Sequence, residues 1–231
     1  MGHKIILSMS KIKPIQFDII TIFPQIFDSY FNTSIVNRGQ KLKKTQIKIH
    51  DLRQFAADKY KSVDDTPYGG GAGMVLKVEP ILKCLKKIKR AKKSRVILFS
   101  AKGKTLKQSN FKRWLKNYDQ LIMICGRYEG VDERVSKYLV DEEISIGNYV
   151  LTGGELPAAI VVDGITRLIP GVLGNIESFE DESYSDDLTR EYPQYTKPES
   201  IVIKGKKRIV PKVLLSGHHK NIAEWREENK K

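Results

Sequence analysis

The sequence predicts an α/β fold: a mostly parallel sheet with helices on both faces, followed by a small, mainly helical C-terminal module. Three observations carry that expectation. Short β-branched runs alternate with segments of helical period from residue 16 to residue 169, the signature of strand–helix–strand units. Two apolar runs end in glycine, at Cys125-Gly126 and at Gly153-Gly154, as chains do where strands deliver loops to the carboxyl edge of a parallel sheet. The chain has 231 residues, 40% of them hydrophobic, enough to bury a sizeable core.

The elements follow in order. Gln16–Phe23 reads QFDIITIF, a β-branched and aromatic strand stopped by Pro24. Ile26–Arg38 has helical character and ends near Gly39. Thr45–Leu52 alternates Ile47 and Ile49 with polar residues, a second strand. Val63–Val75 holds four glycines and a proline in thirteen residues and reads as a loop. Ile81, Leu85 and Ile88 mark a helix over Lys77–Arg90, with Pro80 in its first turn. Arg95–Ser100 is a short buried-type strand, and Leu106–Leu115 returns to helix with Phe111, Trp114 and Leu115 inward. Leu121–Ile124 is the next strand; Val131, Val135 and Leu139 mark an amphipathic helix. Glu143–Ile146 is a last short strand, and Leu156–Ile169 a largely apolar helix that stops at Pro170.

Composition changes after Gly174. The expected organisation is an N-terminal extension (1–15), a ligand-binding α/β domain (16–174), an acidic linker (175–192) and a small C-terminal module (193–231).

Charge narrows the partners. There are 41 Lys+Arg against 27 Asp+Glu, a formal net charge of +14, which favours a polyanion such as nucleic acid. From Lys83 to Arg113 there are thirteen basic residues and no acid, whereas Glu177–Asp187 carries six acids and no base. A single-sign face over 83–113 suits a phosphate backbone. Cys84 and Cys125 are too few for a disulfide framework or a zinc site. His3, His50, His218 and His219 show no metal-ligand spacing, so no metal site is expected. No run approaches a membrane span and no signal sequence is visible, so a cytoplasmic protein without membrane contact is expected.

Two apparent phosphate motifs fail. Pro67–Gly73 lacks both the preceding strand and the spacing of a dinucleotide fingerprint. Gly103-Lys104-Thr105 resembles the end of a P-loop, but Leu98 stands where its first glycine belongs. What remains at Tyr68, Gly69, Gly70 and Gly71 is bare backbone that can approach a flat base. Gly126-Arg127-Tyr128-Glu129-Gly130 and Ile146-Gly147-Asn148-Tyr149-Val150-Leu151 each follow a strand candidate. Their backbone groups can read an adenine edge and ribose hydroxyls, with Ile146 and Leu151 as an apolar floor and Glu129 facing a ribose or a cationic centre.

These motifs, with FDIITIFPQIF, VDDTPYGGGAGM, CGRYEGVDERV, SIGNYVLTGGELP, RLIPGVLG, YPQYTKP and VPKVLLSGHHKNIAEWR, resemble the bacterial tRNA (guanine-37-N1)-methyltransferase family of the SPOUT class. The resemblance covers nearly all of the chain from about residue 16. It implies a deep trefoil knot around a bent S-adenosylmethionine, held by backbone near Ser100–Lys102, Gly126–Gly130 and Ile146–Leu151, with Gly153, Gly154 and Pro157 completing the cup. It further implies a homodimer with a composite site, tRNA with guanine at position 37 as substrate, and Mg²⁺ as a further ion.

Guanine N1 becomes nucleophilic only as its proton leaves, so a carboxylate base is required, and negative charge developing on the guanine oxygen calls for a cation. The resemblance gives the cation role to Arg167 and the base to the linker residue before Ser183. The family has aspartate there. This chain has Glu182, with Asp181 one residue earlier, and the stretch down to Tyr192-Pro193 is one residue longer than the family's, so both are carried. Three other departures are Thr66 for a basic residue, Ala72 for proline, and Ala101-Lys102 for Pro-Gln beside the donor cup. Two rival readings are a methyltransferase of this class acting elsewhere on RNA, and a catalytically silent RNA-binding protein.

Overall fold

The computed structural model describes residues 14–173 and 192–230. The chain divides into two compact units, Met1–Gly174 and Asn175–Lys231.

The first unit is built on five parallel strands in the order β2-β1-β6-β5-β7. They are β1 (Ile15–Thr21), β2 (Thr45–Asp51), β5 (Ser94–Thr105), β6 (Gln120–Cys125) and β7 (Glu142–Ser145). Between them run α1 (Asp28–Phe31), α2 (Ser34–Lys41), α3 (Val78–Lys87), α4 (Gln108–Asn117) and α5 (Glu133–Tyr138); α6 (Glu155–Thr166) follows β7. Side-chain alternation sorts the core into two layers. Phe17, Ile19, Ile97, Phe99, Leu121 and Met123 face a cluster with Phe31, Val36, Phe111, Trp114, Val161 and Ile165, from α1, α2, α4 and α6. Ile20, Val96, Leu98, Ile122 and Ile124 face Ile81, Cys84 and Val135, from α3 and α5. Every residue of β6 is buried, as expected for a central parallel strand covered on both sides.

Five departures from the sequence expectation have identifiable causes. The segment expected as one helix over 26–38 is a 3-10 turn (Pro24–Phe27) and two short helices. The break at Asn32–Thr33 comes where both side chains turn back onto the carbonyls of Asp28, Ser29 and Tyr30, competing with helix propagation. The loop over 63–75 is pinned by a two-residue antiparallel pair, β3 (Asp64–Asp65) with β4 (Val75–Leu76). The strand expected to end at Ser100 continues to Thr105: Phe99 pairs with Ile144, the chain loops out, and Lys104 pairs with Ile144 again. The helix marked by Val131 and Leu139 is only six residues, started by the Asp132 carboxylate on the Arg134 N–H at 2.9 Å. The basic stretch 83–113 is not one face, since α3 and α4 pack on opposite sides of the sheet.

The second unit holds more strand than expected. An antiparallel hairpin, β8 (Ser200–Ile203) with β9 (Lys206–Ile209), precedes α7 (Lys212–Leu215) and α8 (His219–Glu228). Its two-residue turn is Lys204-Gly205, both at positive φ (52° and 71°), the geometry that matches strand twist in a tight hairpin. Tyr195 packs against Trp225 with ring centroids 6.3 Å apart. Among the described residues, no helix is long and apolar enough to cross a membrane.

Candidate active site

At the carboxyl edge of the sheet, the looped-out part of β5 and the segments after β6 and β7 enclose a cavity of about 430 Å³. Ser100, Ala101 and Lys102 form one wall, Gly126–Val131 a second, and Ser145, Ile146 and Tyr149–Gly154 a third; Pro157 of α6, Glu133, Ser136 and Glu143 also line it.

Close backbone approach makes this possible. The Gly154 N–H donates to the Gly126 carbonyl at 2.9 Å. A Cβ on Gly154 would sit 2.7 Å from Cys125 Cα, and one on Gly103 would sit 2.5 Å from Ile144 N. Tyr128 holds a left-handed backbone (φ 59°), a conformation that costs a non-glycine residue energy and is typical of ligand clamps.

A partly buried ion pair ties the walls together. Arg127 Nε donates to Glu155 Oε2 at 2.9 Å, and Nη1 to the Thr152 carbonyl at 3.2 Å. Glu155, 2% exposed, also accepts from Thr21 Oγ1 at 2.7 Å. The guanidinium lies over the Phe23 ring, 4.8 Å from its centroid. The glycine loop before β4 is stitched to the second wall: the Glu129 N–H donates to the Met74 carbonyl and the Leu76 N–H to that of Gly130, each at 3.0 Å. Gly73 lies so close to the Glu129 side chain that a Cβ there would be 2.6 Å from it.

Charge in the cavity is uneven. Glu129, Glu133 and Glu143 line it, against Lys102 and Arg127. Arg127 is already committed to Glu155. Lys102 Nζ meets Glu133 Oε2 at 2.6 Å; that hydrogen bond raises the lysine pKa and lowers the glutamate's. Glu143 Oε2 accepts from Ser136 Oγ at 2.8 Å, while its Oε1 is buried without a hydrogen-bond partner among the described residues. The excess of carboxylate favours a ligand carrying a positive centre. Backbone-rich walls with an apolar floor suit a flat heterocycle with hydroxyls.

The sequence-derived candidates separate into groups. Ser100, Gly126, Tyr128, Glu129, Ile146, Tyr149, Val150, Leu151, Gly153, Gly154 and Pro157 all line the one cavity. Gly147 and Asn148 do not; they sit in the turn where Ser145 Oγ donates to the Gly147 carbonyl at 2.9 Å. Tyr68, Gly69, Gly70 and Gly71 form an exposed loop tip outside the lining. Arg167 caps the C-terminus of α6, half-buried and away from the lining. Asp181, Glu182 and Ser183 lie outside the described residues. The sequence reading gave the Arg127 side chain no role and missed Glu133, Ser136 and Glu143 as cavity residues. The available signal was Arg127 inside the glycine motif; the others lie on elements whose facing only the fold reveals. Among the described residues, no group of three or more His, Cys, Asp or Glu side chains gathers as a metal site.

The family model described as tRNA (Guanine-1)-methyltransferase TrmD matches residues 15–231. A tRNA (guanine-N(1)-)-methyltransferase of Mycoplasma capricolum subsp. capricolum is 50% identical over 213 residues, 92% of this chain and 85% of that one. The protein of that name from Gloeobacter violaceus is 49% identical over 211 residues, 91% of each chain. Among solved structures, the tRNA (m1G37) methyltransferase of Aquifex aeolicus superposes with a TM-score of 0.74 at 41% identity, covering 92% of this chain and 87% of that one.

Proposed function

The chain belongs to the tRNA (Guanine-1)-methyltransferase family, and on that premise we propose how its residues divide the transfer of a methyl group to N1 of guanine 37 in tRNA. It is a methyltransferase of tRNA guanine N1. Its methyl donor is S-adenosylmethionine, whose sulfonium supplies an electrophilic methyl group. The observation that carries the site reading is the single cavity lined by Ser100, Gly126–Gly130, Ile146 and Tyr149–Gly154.

We assign the donor to this cavity and the knotted crossing to the segments that enclose it. Backbone groups of the second and third walls hold the adenosine, and the surplus carboxylates favour the cationic sulfonium. Asp181 or Glu182 removes the proton from guanine N1, and Arg167 neutralises charge developing on O6. Tyr68, Gly69, Gly70, Gly71 and Ser183 contact the RNA. The pairing of nucleophile and methyl group needs alignment above all.

Arg167 is ten residues beyond Pro157 on the same helix, about 15 Å along its axis at 1.5 Å per residue. That distance from its own chain's cavity supports a homodimer in which Arg167 and the 175–192 linker serve the partner's donor site. We place the RNA-gripping role of residues 193–231 and a cytoplasmic setting on the same family grounds. Mg²⁺ is carried on family resemblance alone, with no residue of this chain assigned to it.

The test is to incubate the protein with labelled S-adenosylmethionine and a tRNA transcript, then map the modified atom. Label on N1 of guanine 37 is expected. Label elsewhere, or binding of donor and RNA without transfer, overturns the assignment.

A further inference from the structure

The basic residues of 83–113 divide between two faces of the sheet, but one piece stays together. Lys86-Lys87-Ile88-Lys89-Arg90-Ala91-Lys92-Lys93 runs from the last turn of α3 to the start of β5. Six of these eight residues are cationic and all six are exposed. Arg90 leans on Asp141 at 3.9 Å and on Ser94. For the five lysines, no ion pair is present among the described residues. Lys86 and Lys87 are partly explained by the negative end of the α3 dipole. Lys89, Lys92 and Lys93 lie beyond the helix and have no such compensation.

The segment is not a loose loop. The Ala91 N–H donates to Gln120 Oε1 at 2.6 Å, and Gln120 Nε2 donates to the Lys89 carbonyl at 3.3 Å. Next to it, the Lys93 carbonyl accepts from the Asp119 N–H at 2.8 Å. Gln120 is 1% exposed, and its amide is oriented by a second bond from Nε2 to Asp18 Oδ2 at 2.7 Å. Asp18, also 1% exposed, is held in turn by Gln16 Nε2 at 2.6 Å and His50 Nε2 at 2.7 Å. A buried carboxylate and a buried amide therefore fix the backbone that displays the lysines. Cations held in place lose less entropy on meeting phosphate than cations on a mobile loop.

The location excludes a part in the donor cavity. The cluster sits at the amino edge of the sheet, and β5 runs five residues from Ser94 to Phe99 at the cavity, about 17 Å at 3.3 Å per residue. Resting on the tRNA reading above, we propose that the Lys86–Lys93 segment, clamped by Gln120, is a second phosphate-binding surface that grips the tRNA body beyond the anticodon arm. Such contacts add affinity and orientation without reading sequence.

The test compares the wild-type protein with a Lys89→Gln, Lys92→Gln, Lys93→Gln variant, using a full-length tRNA transcript and the isolated anticodon-arm hairpin. For full-length tRNA the variant should bind about tenfold more weakly at low salt, and its slope of log affinity against log salt should shrink by about 2–3. Anticodon-arm binding, donor binding and the rate at saturating tRNA should be unchanged. Equal loss on both RNAs, or no loss on full-length tRNA, overturns the proposal. Absence of methyl transfer by the wild-type protein would count against the enzymatic reading alone.

Discussion

Arg127 and Glu155 are 28 residues apart in sequence and meet at 2.9 Å, one at the start of the loop after β6 and the other in the first turn of α6. Through them the second and third walls of the cavity share one partly buried charge pair. Removing either partner leaves the other uncompensated in a site where only 2% of Glu155 reaches solvent.

Arg127→Ala should therefore lower stability by about 3–5 kcal/mol and weaken donor binding. Thermal unfolding and calorimetric titration with S-adenosylmethionine read the two effects. Arg127→Lys keeps the charge but loses the forked contacts to Thr152, so its stability loss should be smaller while the donor defect persists. A variant at full stability with normal donor affinity would show that the pair does not hold the walls.

Gly103→Ala and Gly154→Ala place a methyl group within 2.5–2.7 Å of backbone atoms at Ile144 and Cys125. Backbone cannot step aside as a flexible side chain can, so overpacking should cost about 1–3 kcal/mol at each position. Gly205→Ala meets no atom within 4 Å but must hold φ 71°, so its cost is backbone strain alone, about 1 kcal/mol. Urea midpoints compare all three, and Gly154→Ala should also reduce donor affinity.

Acid sensitivity should come from Glu142 as well as Asp18. Burial pushes the Glu142 pKa up, but hydrogen bonds from Arg113, Trp114 and Arg95 outweigh it and leave it below the ordinary value. For Asp18 burial is likewise outweighed, by hydrogen bonds from His50, Gln120 and Gln16. A lowered folded pKa gives stability that is present above the unfolded value, about 4 for both residues, and is lost as pH falls through the folded one. Wild-type stability should drop as pH is taken from 5 toward 3. Glu142→Gln should be less stable at pH 7 and show a shallower drop, measured by urea unfolding across that range.

Asp181→Asn and Glu182→Gln should differ under single turnover with saturating donor and tRNA. The variant that loses the general base should slow methyl transfer by about 10²–10⁴-fold and its neighbour by little. Retention of the rate in both would place the base outside the linker.

Much of the sheet was legible because buried parallel strands announce themselves: LIMIC and RVILFS are continuous apolar runs. The cavity was legible at Gly126, Gly153 and Gly154 because glycine junctions after strands mark the carboxyl edge of a parallel sheet, and at Gly154 the close approach of Cys125 backbone leaves no room for a Cβ. Gly103 obeys the same rule, yet it was read only as a failed P-loop. Its reason for being glycine is Ile144, 41 residues later, and a sequence pattern gives no hint of that neighbour. The basic stretch misled for a related reason. Contiguity in sequence implied one face, but β5 separates Lys86 and Lys87 of α3 from Lys112 and Arg113 of α4, and the two helices cover opposite layers. Arg167 was named by resemblance, and its placement at the far end of α6 follows only from the length of that helix.

The hydrogen bond from Gly154 to Gly126 also sets an order of events during translation. The first wall of the cavity leaves the ribosome with residues 98–102, the second with 126–136, and the third only with 143–157. Four of the five strands are already made when Gly126 emerges, but the cup stays open until Gly154 arrives to close against it. A nascent chain thus acquires most of its sheet before the cavity exists, and a stop codon anywhere before position 157 would leave strands with no cup.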